Sequence, residues 1–331
     1  MDRNIEGNEN SFNINTEGTD DAAMANEGLS RRSRIVKELV AEFNHNTYLK
    51  SHFIGNKRSV SEFDKPFRYP EHIAVRRIAM ANFNMELISW KDSDNPWVIL
   101  HLHGGGYMNA FKNNYRSMAG LYSEVAKGAA VLTIDYRVAP ENPFPAALFD
   151  ARDAYDWLLA NGYDEEHIVL AGDSAGGGLA LCLCHYLRDC EKKLPAGIVC
   201  MSPWTDLTAS GQSYRDKFEE DPVFGNTDDS IIYDNPYIGD EDPENPYISP
   251  LFGEYEGFPP ILIQVGTSEM LLSDSQQLAA KAKAAGVKVR LSEYEGMFHV
   301  FQMCGKLMEE SGRAWVEIGR FLAILRGEDE L

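Results

Sequence analysis

The sequence predicts an α/β fold, a mostly parallel central sheet with helices on both faces, and three observations support it. From about residue 97 onward, short runs of β-branched and other apolar residues alternate with longer helix-forming stretches. The short runs are apolar almost throughout, as strands covered on both faces must be. One of them, His167-Ile168-Val169-Leu170-Ala171, passes through Gly172-Asp173-Ser174-Ala175-Gly176 into Gly177-Gly178-Leu179-Ala180-Leu181, a strand turning sharply into a helix. No internal repeat accompanies this alternation.

Taken in order, residues 1 to about 28 are rich in Asn, Asp, Glu, Gly and Thr and nearly free of large apolar side chains, so they are expected to be a disordered acidic tail. Ile35, Val36, Leu39, Val40 and Phe43 then recur at helical spacing and predict an amphipathic helix that covers something apolar. Two short runs within residues 72 to 90 predict a hairpin that starts the sheet. Trp97 to Leu102 is the next strand and runs into His103-Gly104-Gly105-Gly106-Tyr107. A helix over about 115 to 127 leads to the strand Ala130 to Ile134, and the proline-dense Asp135 to Pro145 cannot be regular structure. A helix over about 146 to 161 precedes the Ser174 strand, and Gly197 to Met201 follows the elbow helix as another strand. Residues 207 to 258 carry no long periodic run, which marks an insertion of the lid or binding type. The alternation resumes with the strand Ile261 to Val265, a helix over about 274 to 285, a strand from Val287 to Tyr294 and a last helix over about 306 to 326.

At 331 residues the chain is long enough for one large α/β domain or two small ones, with ample core. No apolar run reaches the roughly 18 residues that a membrane helix needs, and no basic-then-apolar leader opens the sequence, so a cytoplasmic location is expected. A formal charge of −20 repels phosphate backbones and anionic lipid, which argues against nucleic-acid and membrane partners. The five cysteines include no C-x-x-C pair, and Cys182 and Cys184 fall on different faces of one helix, so buried free thiols are expected rather than a metal site.

The chemistry centres on Ser174. Glycines at 172 and 176 allow the tight backbone of the turn, and the helix beginning at Ala175 aims its free N–H groups beside the serine. A serine needs a base and oxyanion donors to become a nucleophile. Gly104 to Gly106 let backbone N–H groups approach a substrate oxygen, and with the N–H of Ala175 they would make a three-donor cradle, each donor worth on the order of 3 kcal/mol. Of eight histidines, His299 lies just after the last strand and completes the chain order nucleophile, acid, base. His103 is its competitor and is read as orienting the glycine loop, while His45, His52, His72, His101, His167 and His185 read as structural or surface residues. Either Glu269 or Asp274 could accept the imidazole proton. Asp274 reads well as the cap of the following helix, whereas Glu269, directly after the strand, has no such explanation and is preferred.

Together, H-G-G-G at 103 to 106, D-Y-R-V-A-P-E at 135 to 141, G-D-S-A-G-G at 172 to 177, S-P-W-T-D at 202 to 206 and the Gly-Met-Phe-His loop resemble the hormone-sensitive lipase family of α/β-hydrolase carboxylesterases, over about residues 70 to 325. The resemblance implies the α/β-hydrolase fold, Ser174 as nucleophile, His299 as base, and an oxyanion hole from the N–H groups of Gly105, Gly106 and Ala175. The family's acid is commonly the Asp of a D-P-L or D-P-M motif, and here Glu269-Met270-Leu271 takes that place. It further implies a cap formed by about 29 to 60 and part of 207 to 255, with Tyr107 as a pocket wall or a core residue, and a homodimer through the last strand and helix. The implied activity is hydrolysis of short to medium acyl esters by a serine carboxylesterase, with no metal or organic cofactor. A lactonase or an arylacetamide-type deacetylase or amidase would use the same triad, and a non-catalytic ligand receptor on this scaffold is the alternative of another class.

Overall fold

The computed structural model describes residues 29–45, 60–226 and 231–328; the expected acidic tail and residues 46–59 of the expected cap lie outside them. The strands are β1 (Ile73–Ala79), β2 (Asn84–Trp90), β3 (Val98–Leu102), β4 (Ala130–Asp135), β5 (Ile168–Asp173), β6 (Gly197–Met201), β7 (Ile261–Gly266) and β8 (Val289–Tyr294). They form one sheet in the order β1-β2-β4-β3-β5-β6-β7-β8. The first hairpin is antiparallel and joins β4 antiparallel, and every other pairing is parallel.

The α-helices of more than one turn are α1 (Arg31–His45), α2 (Asn113–Val125), α3 (Ala146–Ala160), α4 (Ala175–Asp189), α5 (Leu272–Ala284) and α6 (Glu309–Leu325). Side chains alternate across a strand, and β3 shows the outcome. Leu100 and Leu102 join a core with Leu148 and Ala151 of α3, Leu179 and Leu183 of α4 and Leu278 of α5. Ile99 joins the opposite core with Tyr122 of α2 and Trp315, Ile318 and Phe321 of α6. Every residue of β3 is buried, which is why that run carries no polar alternation except His101.

Because β3 lies between β4 and β5, the chain crosses the sheet one way after β3 and the other way after β5. The crevice at the carboxyl ends of such neighbouring strands is where open α/β sheets place their ligands. Leu102 pairs with Gly172, so the glycine loop and the serine elbow leave the sheet side by side.

The differences from the sequence reading are local. The last helix is two pieces, a 3-10 stretch Phe301–Leu307 and then α6, because Gly305 takes φ +50° and Met308 is extended. α5 begins at Leu272 rather than 274, so Asp274 sits inside its first turn and does not cap it. The insertion holds only the helical turn Ser213–Asp216 and the 3-10 turn Pro250–Phe252 among its described residues. α1 lays Val36 and Val40, with Leu29, on a small core of Tyr294, Met297, Phe298, Phe301 and Met308, while Ile35 and Leu39 face outward.

Candidate active site

Ser174 has φ +53° and ψ −125°, a conformation that costs a non-glycine residue of order 1–3 kcal/mol and persists only where the surroundings impose it. They do so through Ser174 N, which donates to Met201 O at 2.9 Å, and Ser174 O, which accepts from Trp204 N at 2.9 Å and Gly178 N at 3.1 Å. A Cβ on Gly172 would overlap the Gly176 carbonyl, and one on Gly176 would overlap the carbonyl oxygens of Leu102 and His103. Ala175 is the first residue of α4, so its N–H has no partner within the helix.

The glycine loop is held by its carbonyls. In a trans peptide the C=O and the next N–H point in opposite directions, so a group that binds one carbonyl aims the following N–H the other way. His103 Nδ1 lies 2.7 Å from Gly104 O, and since a carbonyl only accepts, Nδ1 carries the proton; this fixes the direction of the Gly105 N–H. Gly105 O accepts from Asn109 N at 2.9 Å and Met108 N at 3.1 Å, which fixes the Gly106 N–H. Burial lowers the His103 pKa to about 3, against the Gly104 carbonyl, which raises it, so the ring is neutral and serves the loop rather than the serine. It stacks on Tyr136 with ring centroids 4.1 Å apart. Gly104 N donates to Asp173 Oδ1 at 3.2 Å, tying the loop to the elbow.

His299 and Glu269 are brought together directly: Nδ1 of the imidazole lies 2.7 Å from Glu269 Oε2, and the carboxylate is fully buried. Glu269 Oε1 accepts from Gly266 N at 2.6 Å and Ser202 Oγ at 2.8 Å. Ser202 Oγ in turn accepts from Val300 N at 3.1 Å. Ser202 follows Met201, whose carbonyl holds the serine backbone, so the elbow, the acid and the histidine loop meet through residues 201 and 202. The bond at Nδ1 leaves Nε2 as the nitrogen available to a hydroxyl.

Asp274 goes elsewhere. Its Oδ2 accepts from Thr205 N at 2.8 Å and Asp206 N at 2.9 Å, and its Oδ1 lies 2.8 Å from Tyr214 OH. Burial raises its pKa to about 8. Tyr107 is fully buried and stacked on Tyr237 at 3.9 Å, which makes it core rather than pocket wall. His101 and His185 are buried without a hydrogen-bond partner at either ring nitrogen. The five cysteines are free, and burial pushes the thiols of Cys182, Cys184 and Cys200 well up. No group of three or more His, Cys, Asp or Glu side chains suited to a metal occurs among the described residues.

Three residues were missed by reasoning from sequence. Ser202 stands in a quoted motif but carries no local sign of its bond to Glu269. Asn235 of the insertion donates through Nδ2 to Gly106 O at 2.9 Å, and Asp221 accepts from Met270 N at 2.7 Å. Both partners lie far away in sequence, and no spacing rule reaches that distance.

The family model for the alpha/beta hydrolase fold matches residues 99–303, from β3 through the histidine loop. An esterase structure from the bacterial hormone-sensitive lipase family superposes with TM-score 0.78 at 34% identity, over 90% of this chain and 99% of that one. The chain belongs to the hormone-sensitive lipase family of α/β-hydrolases. It is an ester hydrolase. An acetyl-hydrolase of Streptomyces hygroscopicus is 40% identical over 70% of this chain and 76% of its own length. An esterase of Acinetobacter venetianus is 34% identical over 76% and 83%. In this family member the order Ser174, Glu269, His299 falls after β5, β7 and β8, one strand end each. No helix among the described residues is long and apolar enough to cross a membrane.

Proposed function

We propose that the chain is a serine carboxylesterase hydrolysing short to medium acyl esters through an acyl-enzyme, with Ser174 as nucleophile, His299 as base and Glu269 as its acid. The bond of 2.7 Å between His299 Nδ1 and a buried Glu269, across the strand ends from a strained serine elbow, carries this reading. Nδ1 bound to a carboxylate presents Nε2 in the unprotonated tautomer that a base requires. A ligand receptor has no need of such a pair.

In the first half-reaction Ser174 Oγ bonds to the acyl carbon while its proton passes to His299 Nε2. The carbonyl oxygen becomes an oxyanion facing the N–H groups of Gly105, Gly106 and Ala175, and the buried Glu269 carboxylate stabilises the imidazolium. The tetrahedral adduct collapses as the bond to the alcohol oxygen breaks and His299 gives that oxygen the proton. Water then repeats the sequence on the acyl-enzyme, releasing the acid and returning the proton to Ser174. All atoms and charges close on these side chains without a further reactant.

The acyl range rests on two supports. One relative is named an acetyl-hydrolase. Side chains of the insertion crowd both ends of the site: a Cβ on Gly106 would overlap Ile231, and the Phe224 ring lies 4.7 Å from that of His299. With α1, the insertion is the cap in this reading. A reducing cytoplasm suits the free cysteines.

Ser174→Ala is the test, with p-nitrophenyl butyrate as substrate and a fluorophosphonate probe read by mass spectrometry. We expect turnover to fall by roughly a thousandfold or more and the probe to label Ser174 of the unaltered enzyme. Undiminished turnover would refute the assignment.

A further inference from the structure

Asp221 takes no part in the acyl transfer, yet it is a carboxylate with no exposed surface placed between the insertion and the catalytic loops. Its Oδ2 accepts from Met270 N at 2.7 Å, the N–H of the peptide that begins at the Glu269 carbonyl. Its Oδ1 accepts from Val223 N at 2.7 Å and Phe224 N at 3.1 Å and so folds the turn that carries Phe224. The Phe224 ring sits 4.7 Å from the His299 ring at an interplanar angle of 58°. A Cβ on Gly225 would overlap the carbonyl of Phe218, so the turn has little room to adopt another shape. One carboxylate therefore grips the backbone of the acid loop with one oxygen and sets the ring over the base with the other.

We propose that Asp221 is a positioning residue for the Glu269–His299 pair, holding the acid's peptide directly and the imidazole through Phe224. The proposal rests on the hydrolase reading of that pair. An N–H accepted by a buried carboxylate is a strong, directional tie, and a base displaced by a fraction of an ångström loses rate without losing substrate affinity. The charges around this point are Glu269 from the loop after β7 and Asp221 itself. Behind them Glu220 pairs with Lys217 at 2.8 Å and stands 4.0 Å from Lys37 of α1, and Glu295 acts on Lys37 from the loop after β8. Burial pushes the Asp221 carboxyl up, while the three amides and His299 draw it back toward the ionised form.

Asp221→Asn removes the charge and leaves one carbonyl oxygen where two acceptors were needed. With p-nitrophenyl butyrate we expect kcat to fall roughly tenfold at an unchanged KM. Phe224→Leu keeps the buried carboxylate and strips the ring from His299. It should lower kcat several-fold at an unchanged KM, and it decides the matter should Asp221→Asn not fold. A folded Asp221→Asn, or a folded Phe224→Leu, with an unaltered kcat would overturn the role. Ser174→Ala assayed alongside separates the two claims: activity surviving there overturns the hydrolase reading itself, whereas an inert Ser174→Ala beside an unaltered Asp221→Asn overturns the role of Asp221 alone.

Discussion

Glu269, on the loop after β7, and Asp274, in the first turn of α5, are both buried, but their partners differ. Glu269 receives Gly266 N, Ser202 Oγ and the histidine. Asp274 is also fully enclosed, but one partner, Tyr214 OH, can itself accept while passing its own proton to Asp206 O at 3.1 Å. A protonated Asp274 can therefore donate at Oδ1 while Oδ2 still accepts from Thr205 N and Asp206 N, so the neutral acid satisfies every group. With its pKa raised in the folded protein to about 8, from the 3.8 usual for the side chain, Asp274 is protonated in the native state where the unfolded chain has released that proton. Its contribution to stability is thus complete below pH 4 and is lost as pH rises through that window, at up to about 1.4 kcal/mol per pH unit. Asp274→Asn, whose amide can donate to Tyr214 and accept from the two N–H groups, should flatten the fall in urea midpoint between pH 5 and pH 8 and keep esterase activity. Glu269→Ala should cost activity roughly a hundredfold or more while it folds. Activity that survives the second change and collapses with the first would exchange the two assignments. That Glu269 meets His299 was legible because it lies on the loop that leaves β7. The outward reach of Asp274 to Thr205 was not, since local cap signals say nothing of partners on another strand end.

Strands and helices were legible wherever burial on both faces had left an unbroken apolar run, as in β3, β5, β6 and β7, whose residues are all buried. Their order in space was not, because nothing in β3 states that it lies between β4 and β5. The last helix was read as starting too early because Met308, apolar and helix-forming in composition, is extended, and with the φ of +50° at Gly305 it parts the 3-10 stretch from α6. The elbow was the most legible element because close approach restricts its glycines. The backbone of α4 at Gly176 rests on the Leu102 and His103 carbonyls, so the helix, the strand and the glycine loop share one contact with no space for a methyl group. Gly176→Ala must part α4 from the end of β3, and that backbone cannot rotate aside as a side chain would. We expect a loss of at least about 3 kcal/mol in urea unfolding, with activity lost even in the folded fraction because Ser174 and the glycine loop separate. An unchanged midpoint would show that the elbow has room which its geometry denies.

Across the whole molecule, 51 acidic residues face 31 basic ones, and the site lies inside that field rather than apart from it. Asp173 beside Ser174, Asp221 against the loop of Glu269, and Glu269 itself are all buried at the carboxyl end of the sheet. Two cations on the Asp221 side are engaged: Lys37 donates to Gly296 O at 3.1 Å and Lys217 pairs with Glu220 at 2.8 Å. A neutral ester meets no long-range force on approach, whereas an ester carrying a carboxylate on its acyl chain meets repulsion from the net charge and again from the site. Raising salt from about 20 mM to about 500 mM shortens the screening length from about 20 Å to about 4 Å, which removes the first repulsion and leaves most of the second. For a monoester of succinic acid, kcat/KM should therefore rise several-fold over that range while staying below that of the butyrate ester, whose own value should change by less than about twofold. The rise should appear in KM rather than kcat, because the charge acts on approach and binding while the acyl carbon reacts by the same steps. Equal salt responses for the two esters would mean that the acidic surface does not reach the site.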